Sequence, residues 1–569
     1  MDVLDESRNT FRQSIKRAQS AFAELPCQPE VGPTSKIAKA VDATHHDDDD
    51  GHDDKTPKKS QATQLVGLAS KDAKFFHSPE GEPFADLPCE HHREIWPIKS
   101  RSFRHWLAGR FFHDTKGAIG GQSMQDALSV LSSKALFDGE EREVPLRVAD
   151  FDSDIYLDLG NADWQAIRVT PHGWSLTNTP PVAFRRPKSM MALPIPTPGG
   201  SVDLLREVLN ISDDGQWTLF VGFILAALRP RGPYPVLVLD GEQGTGKSHI
   251  ARTVKSLIDP SRAGNRGEPR DARDLMIAAT NGWLLSFDNL SRISPELSDG
   301  LCRLSTGGGL ATRELFSDAE ETIFDATRPV VINAIGDVVT RAALVDRGLM
   351  VTPNIITAQQ RREERFLETR LNDIRPLVLG ALLDAVSHGL RTVASVHLHE
   401  LPRMADFAVW VMACAPALGW ELSQFIDAYC TNRSDAVEIG LEASPLVGPL
   451  RALLVKGPWE GTASDLLTKI TEIGGDTVRR MKDWPTKPNV LSNALKRLAP
   501  ALRETGLIVT RRERTTAGRS IHLEHQGISS SSSSFLTSQN QGHDDHDDQK
   551  PPRSNTDLYQ REEEVIDVN

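Results

Sequence analysis

Residues 236–248 read Val236-Leu237-Val238-Leu239-Asp240-Gly241-Glu242-Gln243-Gly244-Thr245-Gly246-Lys247-Ser248, an apolar run that passes into a glycine-rich turn and then into a helical pattern. An uninterrupted apolar strand suits burial on both faces, as in a parallel sheet. The glycines let backbone N–H groups curl toward one point, and a helix starting near Lys247 adds its partial positive charge there. This is a phosphate-binding P-loop in the required context of strand, turn and helix. Gly241, Glu242, Gln243, Gly244, Thr245, Gly246, Lys247, Ser248 and His249 are therefore read as the nucleotide cradle. Lys247 faces the phosphates, and the Ser248 hydroxyl takes a place on magnesium.

Such a loop needs a carboxylate on a neighbouring strand end. Trp283-Leu284-Leu285-Ser286-Phe287-Asp288-Asn289 supplies one about 40 residues downstream, and Asp288 is read as the second magnesium-side group. The next position holds Asn289, an amide that can orient water but cannot take its proton. A further strand, Val330-Val331-Ile332-Asn333, ends in an amide placed to sense the γ-phosphate or hold the attacking water. Arg347 then precedes the apolar run Gly348-Leu349-Met350-Val351 and is read as an arginine finger, with a salt bridge to Asp346 as the plain alternative. Lys247, Asp288, Asn289, Asn333 and Arg347 make up the catalytic set.

The order of these residues resembles the AAA+ ATPases, specifically superfamily 3 helicases, over residues 200–395. It is most similar to the helicase portion of poxvirus-type, phage and plasmid primase-helicases, including Leu301-Cys302-Arg303-Leu304-Ser305-Thr306-Gly307-Gly308-Gly309 and Thr312-Arg313-Glu314-Leu315. The resemblance implies ATP and Mg2+, and a homo-hexameric ring with sites between subunits. It also implies a hairpin reaching single-stranded DNA in the pore, where Arg313 carries the contact. A tight glycine turn in a surface hairpin is the alternative for that segment. By the same resemblance, residues 80–199 are the α+β module that precedes the motor, and a primase is a possible separate partner.

Outward from the motor, residues 1–79 are expected to be a disordered tail. They carry His45, His46, Asp47 to Asp50, His52, Asp53 and Asp54 with little apolar surface. Residues 527–569 echo this with Ser529 to Ser534 and His543, Asp544, Asp545, His546, Asp547 and Asp548. These tracts read as solvated acidic tails, with divalent-metal binding as the alternative. In residues 80–199 a basic and aromatic helix (100–112) precedes strand-like runs at 146–150, 155–159, 166–170 and 182–186. Asp150, Asp152, Asp154 and Asp158 read there as turn residues rather than a polymerase metal site. Apolar residues at three and four spacing give helices at 357–393 and 404–429, a lid and a connector that continues to residue 445.

Residues 446–526 read as three helices and a hairpin, the order of a winged helix. Between Arg479 and Arg519 about eleven basic residues face three acidic ones. Asn493, Lys496 and Arg497 on the third helix and Arg511, Arg512, Arg514 and Arg519 on the wing are the expected duplex-DNA contacts. The global net charge of −13 conceals this basic footprint. By count residues 1–60 and 527–569 hold about −9 of it.

Five scattered cysteines without a CxxC pair argue against a disulfide framework or zinc ribbon. No apolar run of membrane-span length and no leader pattern is evident. A cytoplasmic protein without membrane contact is expected. The fold class expected is α/β: an AAA+ P-loop ATPase core, an N-terminal α+β module, a C-terminal winged-helix domain and disordered acidic tails. The function expected is an ATP-dependent DNA helicase-type motor for replication of a phage, plasmid or integrated element. The alternatives are an AAA+ ATPase that loads or remodels a protein, or a DNA-binding regulator with a structural nucleotide site.

Overall fold

Four parallel strands organise the centre of the molecule, in the order Leu285–Leu290, Val330–Ala334, Val236–Leu239, Gly348–Val351. This computed structural model describes residues 60–526 except 90, 291–292, 309, 314–320, 325, 335–341, 482 and 516–517. Side chains at 310–313, 321–324, 342–343, 422, 512–515 and 518–519 also fall outside that description. The expectations for residues 1–59 and 527–569 lie outside the described residues.

The strand alternation of side chains divides the sheet between two cores. Leu237, Leu239, Val331, Leu349 and Val351 pack into one with Phe220, Ile224, Val254 and Leu257. Val236, Val238, Val330, Ile332 and Phe287 pack into the other with Leu275, Leu301 and Leu304. Each such fully buried aliphatic side chain contributes about 1.5–3 kcal/mol, so helices must cover both faces of the sheet. Helix Asp214–Ala227 is buried along nearly its whole length from Trp217 onward. Helix Lys247–Ile258 instead keeps one apolar stripe and one wet face.

The long helix Glu364–Thr392 buries Leu371, Ile374, Val378, Leu379, Leu382, Leu383 and Val386 in the first of these cores. It is long and apolar enough to pass a composition test for a membrane span, but just over half of its most apolar window is buried inside the fold. The single helix expected at 404–429 is two, Ala405–Cys414 and Leu422–Glu442. Pro416 cannot continue a helix, and Gly419, at φ 71°, takes the left-handed conformation that ends the intervening turn.

The fold begins earlier than residue 80. Ser60 caps helix Gln61–Asp72 by accepting from Thr63 N at 3.1 Å, and Leu65 and Ala69 bury against Phe103, Leu107, Leu128 and Leu131. Strand Lys74–His77 then pairs with Pro83–Cys89, which pairs with His92–Pro97. This corrects the tail boundary at 79: a short helix with few apolar positions is stabilised by tertiary packing that its own composition does not reveal. A second sheet is the meander Val148–Phe151, Asp154–Asp158, Ala166–Thr170, Gly173–Thr177. The strand expected at 182–186 is only an isolated bridge between Arg185 and Ile95, in a stretch bounded by prolines. Asp152 and Ser153 form the tight turn at φ 49° and 70°. Asp150, Asp154 and Asp158 are paired with Arg231, Arg168 and Arg186, so these carboxylates act in ion pairs and turns.

The C-terminal region runs helix Val447–Leu454, strand Trp459–Thr462, helix Ala463–Arg479, helix Pro488–Glu504, strands Leu507–Thr515 and Gly518–His525. The three strands form an antiparallel sheet with Gly518–His525 in the middle. The first strand was not anticipated. It pairs at the sheet edge, and only Trp459 and Thr462, at its two ends, favour a strand. Thr462 and Asp465 form the expected capping box, the Asp465 carboxylate accepting from Thr462 N at 3.0 Å.

Candidate functional site

The strand Val236–Leu239 delivers the glycine loop to the C-terminal edge of the central sheet, where ligands of parallel α/β sheets gather. Gly244 and Gly246 both sit at φ 89°, a conformation side chains rarely adopt. A Cβ on Gly244 would meet nothing within 4 Å, so the loop is open on that side. Lys247 is buried, and its ammonium donates to the carbonyls of Gly241 at 2.6 Å and Glu242 at 2.8 Å. Thr245 Oγ1 donates to the Glu242 carbonyl at 3.0 Å, closing the turn from inside. His249 lies half-buried in the first helical turn. Burial, with the Arg252 charge, pulls its imidazole below the usual range, so it is neutral at pH 7.

The neighbouring strands bring the acid and the amide to the same place. Ser248 Oγ donates to Asp288 Oδ1 at 3.1 Å, and Asn333 Nδ2 donates to Ser248 Oγ at 3.0 Å and to Asp288 Oδ1. Asn333 is 4% exposed, and its Oδ1 has no hydrogen-bond partner among the described residues. A buried, unmatched acceptor at the centre of a polar cluster is a feature that a bound water or ligand donor accounts for. A hydroxyl and a carboxylate oxygen, with lysine and loop N–H groups beside them, form a hard oxygen-donor set that fits magnesium and a polyphosphate.

Asn289 is set apart from this cluster. The strand bulges between Phe287 and Leu290, and Asn289 adopts φ 60° with its side chain exposed. The bulge turns the backbone outward at Asn289 before pairing resumes between Leu290 and Ala334.

Sequence reading overlooked two amides that hold the site. Asn265 Nδ2 donates to Asp288 Oδ2 at 3.3 Å and to the Ser248 carbonyl at 3.4 Å, while its Oδ1 accepts from Ser286 Oγ at 2.8 Å. Asn210 Nδ2 donates to the Thr245 carbonyl at 3.2 Å and to that of Asn354. Both stand in irregular segments where an isolated Asn carries no periodic signal.

Arg347 precedes Gly348–Val351 at the opposite end of the parallel sheet, since Gly348 is level with Val236 and Val351 with Leu239. Four residues of strand place its backbone about 13 Å from the loop edge. It is therefore remote from the cradle of its own chain. Asp346 pairs with Arg403 and with Arg433, the latter at 3.0 Å. Arg313 ends strand Leu310–Arg313, which pairs antiparallel with Glu321–Phe324 and puts a hairpin between the acid and amide strands. The side chains of Arg313, Arg512, Arg514 and Arg519 lie outside the described residues.

Behind the cradle, the far end of helix Lys247–Ile258 is tied to the N-terminal module. Asp259 accepts from Lys255 Nζ at 2.7 Å and Arg147 Nε at 3.2 Å, and from the backbone of Trp283 at 2.9 Å. All three ionic side chains are buried, Arg147 completely. Burial raises the Asp259 carboxyl, but Lys255 and Arg147 outweigh it and hold the group below the usual carboxylate range.

On helix Pro488–Glu504 the exposed Asn493, Lys496 and Arg497 line one shallow hollow with Val490. Arg511 is exposed and donates to the Ser492 carbonyl, so it ties the first wing strand to that helix.

No curated protein matches the chain in sequence. Among solved structures, the apo C-terminal region of NrS-1 aligns with 83% of this chain and 100% of its own, at 12% identity and a TM-score of 0.39. JCV helicase, solved with a thiazolopyridine compound, aligns with 37% of this chain and 67% of its own, at 12% identity and a TM-score of 0.20. Residues 202–436 match the model of the actinomycete integrative conjugative element replication protein, and residues 448–537 match that of the AICE RepA C-terminal domain. The two successive matches together cover more than half of the sequence, and over that length the chain is similar to the replication proteins of actinomycete integrative conjugative elements.

Proposed function

We propose that this replication protein is an ATP-driven DNA motor of the AAA+, superfamily 3 helicase type, acting in the bacterial cytoplasm. One observation carries the reading: Ser248, Asp288 and Asn333, from a helix start and two separate strand ends, meet in one hydrogen-bonded cluster beside Lys247. Magnesium-bound ATP, the substrate that this donor set suits, brings the reactive phosphoanhydride and its charge compensation. The loop N–H groups and Lys247 hold phosphate oxygens, and Ser248 and Asp288 hold the metal. Asn333 Oδ1 accepts a hydrogen bond from the attacking water and orients it. Asn289 cannot act as a base, so hydrolysis relies on positioning for a largely dissociative transition state.

The remote place of Arg347 supports action on a neighbouring subunit, hence a ring, for which a hexamer is the proposed form. Arg347→Ala is expected to spare nucleotide binding and impair hydrolysis, because a finger acts on the neighbour's transition state. Mixed with wild type, it should depress turnover beyond simple dilution. Loss in proportion to dilution alone sinks the shared site.

The helix, strand, helix, helix, strand, strand order supports a winged-helix reading of residues 446–526, with duplex DNA on the face of Asn493, Lys496 and Arg497. The hairpin bearing Arg313 is the proposed single-strand contact in the pore. Replacing Lys496, Arg497, Arg511 and Arg512 by Ala should weaken duplex binding and lower the salt slope by about 3–4, at roughly 0.9 per lost phosphate contact. Basal ATP turnover should be unchanged. Unaltered affinity and slope in a salt titration make this face a protein-docking surface instead.

Strand separation tests the motor reading. ATP-dependent unwinding of a forked duplex, absent with Lys247→Ala, is expected. ATP turnover without unwinding or translocation favours a protein-remodelling ATPase. The exposed Asn289 in place of a general base favours the further reading of a regulator with a structural nucleotide site, for which nucleotide binds without turnover.

A further inference from the structure

At the tip of the first hairpin, Cys89 ends strand Pro83–Cys89 and His92 begins strand His92–Pro97 as its direct cross-strand partner. Glu94, two residues along from His92, emerges on the same face by strand alternation. The donor atoms of Cys89, His92 and Glu94 all lie within 4.8 Å of one another, and all three residues are half-buried. His92 Nε2 and Glu94 Oε1 are 3.0 Å apart. Sulfur, nitrogen and oxygen ligands around a tetrahedral zinc ion are roughly 3.3–3.6 Å apart, so the cluster needs only small side-chain adjustments to close.

The surroundings fix the imidazole. His92 stacks on Trp164 at 6.2 Å between ring centres and 12° between planes, and the Arg186 guanidinium lies 3.9 Å from the centre of the Trp164 ring. Trp164 itself adopts φ 53°, a left-handed conformation that is a marked outlier for so bulky a residue. Strain of that sort persists where surrounding structure enforces a particular placement, and here it sets the indole against His92. Arg186 is in turn anchored by the buried Asp158 carboxylate, at 2.5 and 2.9 Å. The stack limits rotation of the imidazole, so its Nε2 stays on the side of Glu94.

We propose that Cys89, His92 and Glu94 bind one divalent transition-metal ion of the zinc class, with solvent in the fourth position, clamping the hairpin of the N-terminal module. A thiolate, an imidazole and a carboxylate form a mixed donor set that selects zinc over magnesium or calcium. The site is remote in sequence from the phosphate loop and does not depend on the motor reading. His92 and Glu94 are already joined by their hydrogen bond, and the indole stack orients the ring.

The test uses the full chain, with cobalt(II) as spectroscopic probe and zinc as competitor. Wild type should bind about one equivalent with a thiolate-to-cobalt charge-transfer band, which zinc abolishes. Cys89→Ser should lose the band, and Glu94→Gln should weaken cobalt binding at least roughly tenfold. The band separates this site from the His/Asp tracts around residues 45–54 and 543–548, which contain no thiol. A second measurement needs no variant. Zinc, but not magnesium, should slow alkylation of Cys89 at least roughly tenfold when followed by peptide mass spectrometry. A band that persists in Cys89→Ser, or alkylation of Cys89 indifferent to zinc, overturns the proposal.

Discussion

Lys247→Ala is expected to lower ATP turnover by about a hundredfold or more, in line with the roughly 2.7–4 kcal/mol that one group stabilising transition-state charge supplies. The ammonium lies over the loop, held by the carbonyls of Gly241 and Glu242, so it is already in position when phosphate arrives. Among the described residues no other lysine joins the hydrogen-bonded cluster of Ser248, Asp288 and Asn333, so its charge has no substitute there. The fold should tolerate the change. The two carbonyls belong to a surface loop that water can reach, and losing such hydrogen bonds costs about 0.5–1.5 kcal/mol each. Steady-state turnover measured beside a thermal melt separates the two effects. Retention of more than about a tenth of the wild-type rate, a barrier change below about 1.4 kcal/mol, would contradict the assignment.

Asp259→Asn should produce the largest loss of stability, about 3–5 kcal/mol, because it leaves Lys255 and Arg147 buried without their shared anion. The loss has a pH signature. Asp259 is held below the usual carboxylate range in the folded chain, so its contribution is complete above its unfolded value of about 3.9 and disappears as pH falls through the lower folded value. The Asp259 part of the gap in unfolding midpoint between wild type and Asp259→Asn should thus narrow only below about pH 4, while Lys255, which burial already pulls below the usual lysine range, adds no narrowing as pH falls from about 8 to 5. Denaturant melts across that range check it. A gap that already shrinks between pH 7 and 6 means another group is responsible. Since Asp259 caps the helix that starts at Lys247, loosened coupling to Arg147 should also slow turnover, though less than Lys247→Ala does.

The central site was legible because each of its parts leaves a local mark. Glycines at 241, 244 and 246 stand where the chain turns left-handed, and Asp288 and Asn333 each close an apolar run. Their convergence depends on strand order, which places Val330–Ala334 between the other two site strands. The supporting amides were not legible. Asn210 and Asn265 act across 35 and 23 residues of chain, from irregular segments, and an amide looks the same in a solvent loop as beneath a carboxylate. Helix Gln61–Asp72 escaped for a related reason, since only Leu65 and Ala69 are fully buried and their partners lie beyond residue 100. The break between Ala405–Cys414 and Leu422–Glu442 could have been read from Pro416 and Gly419. The apolar periodicity on either side of them masked it.

Hydrolysis of ATP by the purified chain, with and without single-stranded DNA, tests the account most directly. It should show magnesium-dependent turnover that single-stranded DNA stimulates severalfold and that Lys247→Ala reduces to background. Turnover no greater than that of Lys247→Ala, with or without DNA, would contradict a motor built on Ser248, Asp288 and Asn333.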